Sequence, residues 1–192
     1  MDKKDVIEFF DTMAPLWDND QIRNEEVISI ILSKGGICEG KKILDVACGT
    51  GVLFPDYIAL GADITGIDIS SEMVKIAGEK FPEACVICGD AEIYRFEKHF
   101  DAVMIYNAFP HFINPKALFE NLTKHLKPGG RLTVAHGMSE RDLRECHSGK
   151  ANKISLPLPP KEELSELMSE FCYVDVMISD ERMYMVSGTK SE

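Results

Sequence analysis

The passage that most restricts the fold is Lys42 to Gly51, reading KILDVACGTG. A run of strand type, Lys42 to Val46, ends in a Gly-x-Gly loop, and Val52 to Leu60 then takes a helical pattern. Strand, glycine loop and helix in that order make a nucleotide-binding arrangement. The glycines let the backbone approach a ligand, and the helix N-terminus favours an anion or a polar group beside it. The common elaborations are missing. A dinucleotide fingerprint needs glycine where Phe54 stands, which opposes a nicotinamide oxidoreductase, and there is no Gly-Lys-Ser/Thr for a P-loop.

The alternation continues beyond this unit. Asp63 to Asp68, Ala84 to Cys88, Phe100 to Tyr106 and Arg131 to His136 are further strands. Ser70 or Ser71 caps a helix running to about Lys80. Asn114, with Pro115 at the first helical position, opens another through Leu126, which Lys127-Pro128-Gly129-Gly130 stops. The last third changes character. Ser139 and Asp142 fit a capping box for a short helix ending near His147, and a helix from Lys161 to Glu170 follows Pro159-Pro160. Cys172 to Ile178 and Met183 to Thr189 form a hairpin around Ser179 to Arg182, so one of the two strands runs antiparallel. The predicted fold is α/β: a Rossmann-like, doubly wound, seven-stranded and mostly parallel sheet with a C-terminal antiparallel hairpin and helices on both faces. With no linker or repeat to divide it, the chain of 192 residues reads as one domain.

Charge narrows the partners. Against 21 Lys+Arg stand 32 Asp+Glu, a net charge of −11, and no polybasic run compensates, so nucleic acid is disfavoured as a partner. The longest uncharged stretch, Ala102 to Pro115, has 14 residues and includes Asn, His and two prolines, too short and polar to span a bilayer. The charged start, Met1 to Asp5, shows no export signal, which predicts a cytoplasmic protein with its six cysteines as free thiols. Cys85 and Cys88 share a Cys-x-x-Cys spacing, but on a strand they point to opposite faces.

ILDVACGTG, GIDIS at 66–70, CGDAE at 88–92, FDAVMIYNAF and LKPGGRL follow one another in order through residues 40–136, half the chain. Together they resemble the successive motifs of class I S-adenosylmethionine-dependent methyltransferases, and the stretch from Phe10 to Asp18 is similar to the start of small-molecule members. Ala47 departs from the pattern, where glycine is common. The resemblance implies S-adenosylmethionine as methyl donor, with Ala47, Gly49 and Gly51 in its loop. Asp45 would orient that loop and the donor's amino group. Asp68 would accept the ribose hydroxyls, Asp90 with Ala91 would face the adenine, and Ile69 and Met73 would sandwich it. Tyr106 and Asn107, at the carboxyl end of strand four, lie where an open α/β sheet binds ligands. Residues 1–22 form an N-terminal lid helix or one merely packed on the domain, and Trp17 is its candidate contact near the sulfonium.

The expected acceptor is a small molecule. Strand four is followed by Tyr106-Asn107-Ala108-Phe109-Pro110, not the Asn-Pro-Pro-aromatic string of enzymes that methylate nucleic-acid amines. Specificity is assigned to the first 20 or so residues and to 107–160, with 137–160 as an acceptor-side segment. His111, His136 and His147 follow strand four, end strand five and close the next helix. The sharp reading brings two or three of them together, with Tyr106 nearby, as ligands of a divalent transition metal or with one histidine as general base. The bland reading makes them a loop cap, a semi-buried imidazole and a helix-end charge. Arg141 and Arg144 either meet an anionic acceptor or lie on a solvated helix face. The different-class rival is a non-catalytic S-adenosylmethionine-binding regulatory protein with its acceptor side closed. Either a monomer or a homodimer fits.

Overall fold

Alternation in the strands decides which layer each side chain joins. Along Lys42–Val46 (β1), Ile43 packs to one face while Leu44 and Val46 pack to the other. Along Phe100–Tyr106 (β4), Ala102 and Met104 oppose Val103 and Ile105 in the same way. Apolar residues on both faces require cover on both, which helices supply. The computed structural model describes residues 2–19, 23–146 and 154–191.

The sheet has seven strands. Besides β1 and β4 they are Asp63–Asp68 (β2), Cys85–Cys88 (β3), Leu126–His136 (β5), Tyr173–Ser179 (β6) and Tyr184–Thr189 (β7). Their order is β3-β2-β1-β4-β5-β7-β6, and β1 to β5 are parallel. β7 runs antiparallel between β5 and β6, as the hairpin predicts. Strand order reverses between β1 and β4, which opens a crevice at their carboxyl ends.

The helices are Lys3–Met13 (α1), Glu25–Lys34 (α2), Phe54–Ala59 (α3), Ser71–Lys80 (α4), Pro115–Lys124 (α5), Glu140–Cys146 (α6) and Lys161–Ser169 (α7). One face of the sheet takes Leu118, Phe119 and Leu122 of α5 with Leu164 and Met168 of α7; the other takes Ile28 and Ile31 of α2 with Phe54 and Tyr57 of α3. Ser70, Asn114 and Ser139 accept backbone N–H groups at the starts of their helices, from Met73, Ala117 and Asp142. Among the described residues no helix is long and apolar enough to cross a membrane.

Several boundaries differ from the expected ones, and one helix is added. α3 starts at Phe54 rather than Val52, with Pro55 in its first turn where a missing N–H costs nothing. β5 reaches back to Leu126 through Lys127-Pro128-Gly129-Gly130, and its register against β4 shifts between Phe100 and Ala102. α2 fills a stretch the sequence reading leaves unassigned; Asn24 accepts from Val27 N at 3.2 Å to cap it. Cys85 and Cys88 are both exposed on edge strand β3, and both are free thiols.

Candidate active site

A cavity of about 520 Å³ opens at the carboxyl ends of β1, β2, β3 and β4, within the usual range for a small-molecule site. The glycine loop forms its floor. Ala47 and Gly49 are left-handed, at φ 53° and 54°, and Ala47, Cys48, Gly49, Thr50 and Val52 line the cavity. Gly51 lies just behind. It sits at φ +86°, and a Cβ there would come 2.9 Å from both Phe54 and Phe81, so glycine is required.

Asp68 is buried at the end of β2. Its Oδ2 accepts Gly49 N at 2.8 Å and its Oδ1 accepts Ser70 N at 2.9 Å. Burial raises its pKa, while those backbone N–H groups hold it back. The carboxylate therefore ties the glycine loop to the start of α4 and still faces the cavity. Ile69, Met73, Asp90 and Ala91 share the wall with it. Asp45 does not reach the wall. It is fully buried, and burial followed by the neighbouring Asp68 charge pushes its carboxyl up to about 8, against the opposing Tyr57 hydroxyl.

Tyr106 and Asn107 line the cavity where strand four ends. Asn107 is left-handed at φ 55°, and its place is over-determined. Its N–H donates to Ala135 O and its Oδ1 accepts Gly137 N, both at 2.9 Å, so it staples β4 to β5. Burial raises the Tyr106 phenol, and Asn107 and Arg23 oppose the rise. Arg23 also borders the cavity; it donates to Val52 O, to Asp56 at 2.6 Å and to Glu25 at 2.7 Å.

Residues from α1 and the turn after it cover the opening. Lys3, Val6, Phe9, Phe10 and Trp17 all line the cavity, with Trp17 Nε1 3.7 Å from where a Gly49 Cβ would stand. Phe10 meets Trp17 and His111 edge to face, at 5.4 and 5.0 Å between ring centres. Beyond it the wall turns apolar, with Ala108, Phe112, Met138, Leu143 and Ile154 around His111. His111 Nδ1 lies 2.9 Å from Ile154 O. A carbonyl only accepts, so Nδ1 carries the proton and the ring's basic nitrogen is Nε2.

Two of the three candidate histidines lie among the described residues, and the structure places them differently. His111 is on the cavity wall, whereas His136 is fully buried in β5 and packs against Tyr184 at 6.0 Å between ring centres. The inward alternation of β5 explains this: His136 falls on the face of Leu132 and Val134, beneath the domain's own cover. His147 lies outside the described residues, and among those described no cluster of three His, Cys, Asp or Glu could hold a metal. Arg141 is exposed and ion-paired with Asp142, off the cavity wall; the side chain of Arg144 is outside the described set. Lys3, Arg23 and Glu92 were not legible as site residues, because only long-range packing brings them there.

A family model for a methyltransferase domain matches residues 44–134. A demethylmenaquinone methyltransferase of Renibacterium salmoninarum is 32% identical over 143 residues, 70% of this chain and 60% of that protein. A ubiquinone biosynthesis O-methyltransferase of Idiomarina loihiensis is 32% identical over 100 residues, 48% of this chain and 41% of that one. The chain thus spans less than two thirds of the length of these curated relatives. In fold, it is similar to magnesium protoporphyrin IX methyltransferase from Synechocystis PCC 6803, solved with bound SAH. That match has a TM-score of 0.75 and 17% identity over 99% of this chain and 100% of that one. A SAM-dependent methyltransferase from Corynebacterium glutamicum matches with a TM-score of 0.71 and 17% identity, over 96% and 99%.

Proposed function

The chain belongs to the class I S-adenosylmethionine-dependent methyltransferase family, and from that premise we propose that it transfers the sulfonium methyl of S-adenosylmethionine to an uncharged, largely apolar small molecule. One observation carries the reading. One cavity is lined both by Gly49, Asp68 and Asp90 and by Phe112, Met138 and Leu143 with His111. The second set argues against the regulatory rival, which needs a closed acceptor side. Among the described residues, the lysine and arginine side chains that line the cavity are those of Lys3 and Arg23, and both are already paired with acids.

S-adenosylmethionine supplies a methyl group already activated for displacement, so the chain has chiefly to align the acceptor and exclude water. Asp68 accepts the ribose hydroxyls and Asp90 the adenine amine, with Ile69 and Met73 on the base faces. Asp45 supports the glycine loop from behind. Trp17 and Phe10 keep water from the reacting atoms. Where the acceptor atom bears a proton, His111 takes it at Nε2, its ring held by the Nδ1 bond to Ile154. The demethylmenaquinone and ubiquinone-pathway relatives favour a ring acceptor.

Calorimetry with S-adenosylhomocysteine (SAH) tests the donor half. Asp68→Ala is expected to weaken binding by about 1–3 kcal/mol through loss of a buried acceptor. Unchanged affinity would remove the donor assignment.

A further inference from the structure

The strap formed by α1 and its following turn is fastened at three points, and each fastening lands on a loop assigned to the donor. Asp18 accepts Thr50 Oγ1 at 2.6 Å, on the glycine loop, and Lys80 Nζ at 2.8 Å. Asp11 accepts Ser70 Oγ at 2.6 Å and Glu72 N at 3.2 Å, at the start of α4. Lys3 Nζ donates to Asp90 Oδ2 at 2.5 Å and to Glu92 Oε2 at 2.6 Å, after β3.

The Lys3 fastening differs from the others in what its partners do. Asp90 Oδ1 accepts Glu92 N at 3.0 Å, so Lys3 on Oδ2 completes a fixed orientation for the carboxylate expected to meet adenine. Glu92 is buried, and its Oε1 accepts Ile113 N and Asn114 N, both at 3.1 Å, in the loop just after His111. One ammonium thus joins the strap, the adenine-facing acid and the acceptor-side loop. These hydrogen bonds are charge-assisted and partly shielded from water, the situation in which such bonds are strongest. The same helix carries Phe10 onto His111.

We propose that Lys3 is a positioning residue for the donor: by bridging Asp90 and Glu92 it holds the adenine-facing carboxylate in place and closes the α1 strap over the occupied site. The proposal rests on the donor reading above. Each oxygen of Asp90 has a second lone pair, so the adenine amine shares the carboxylate with Lys3 and does not displace it. Strap closure and donor occupancy then stabilise one another, and donor exchange requires the Lys3 bridge to open.

The test measures SAH dissociation by stopped flow, and hydrogen exchange over residues 3–13 with and without SAH. Wild-type chain, Lys3→Gln and Lys3→Arg are compared. Lys3→Gln is expected to release SAH roughly tenfold faster, the loss of one charge-assisted bridge, and to abolish the protection that SAH gives α1. Lys3→Arg restores both. Wild-type rates and protection in Lys3→Gln would reduce Lys3 to packing, and tighter SAH binding would show it competing with adenine; either overturns the proposal while the donor reading stands. Failure of the wild-type chain to bind SAH would overturn the donor reading and this proposal together.

Discussion

Asp45 should make the fold lose stability as pH rises, the reverse of an ordinary salt-bridged acid. It is fully buried beside Asp68, which lifts its carboxyl to about 8, whereas an unfolded chain releases that proton near ~3.9. Between those values the native state holds a proton the unfolded state has lost. Stability is therefore full below the lower value, falls as pH climbs, and levels off above about 8. The slope is at most about 1.4 kcal/mol per pH unit, so from pH 5 to 8 the loss reaches at most ~4 kcal/mol, a large part of a total of about 5–15. Asp45→Asn replaces the neutral acid with a shape that cannot ionise. Urea unfolding of both proteins from pH 5 to 8 isolates the term, since every other group titrates in both. The variant should gain on wild type steadily with pH and match or exceed it at pH 8. Parallel profiles would show that Asp45 is ionised in the fold and that the desolvation argument is wrong.

Gly51→Ala combines a left-handed backbone with contacts at 2.9 Å to Phe54 and Phe81; it should cost roughly 2–4 kcal/mol in urea unfolding, and a loss below a few tenths would show that the loop relaxes freely. His111→Ala should lower kcat about 100-fold or more on a protonated acceptor, with SAH affinity by calorimetry unchanged. A fall in SAH affinity with kcat intact would place His111 on the donor side instead.

Much of the architecture was legible because it is written in local pattern. The alternation at Ile43-Leu44 and Ala102-Val103 specifies a sheet covered on both faces, and the caps at Ser70, Asn114 and Ser139 fix where helices begin. α2 had signals of the same kind, Asn24 before two glutamates and Val27, Ile28, Ile31 and Leu32 at helical spacing. The residues that motif order assigns to the donor, Gly49, Asp68, Ile69, Met73, Asp90, Ala91 and Asn107, line one cavity together with Trp17. The placement of the histidines was less legible, since proximity of strand ends says nothing about which face a side chain takes. His136 turns into the core while His111, on a short 3-10 turn, reaches the cavity. Lys3 was beyond reach for another reason: its partners are 87 and 89 residues away, and a lone lysine near a terminus carries no local pattern.

Methyl transfer to an apolar small molecule is tested most directly by incubating the protein with a cell extract and S-adenosylmethionine labelled in the methyl group, then finding by mass spectrometry what carries the label. One uncharged, ring-containing small molecule is expected to gain it, and to gain far less with Asp68→Ala. Label found only in nucleic acid or protein, or in nothing beyond the enzyme-free control, would contradict that reading.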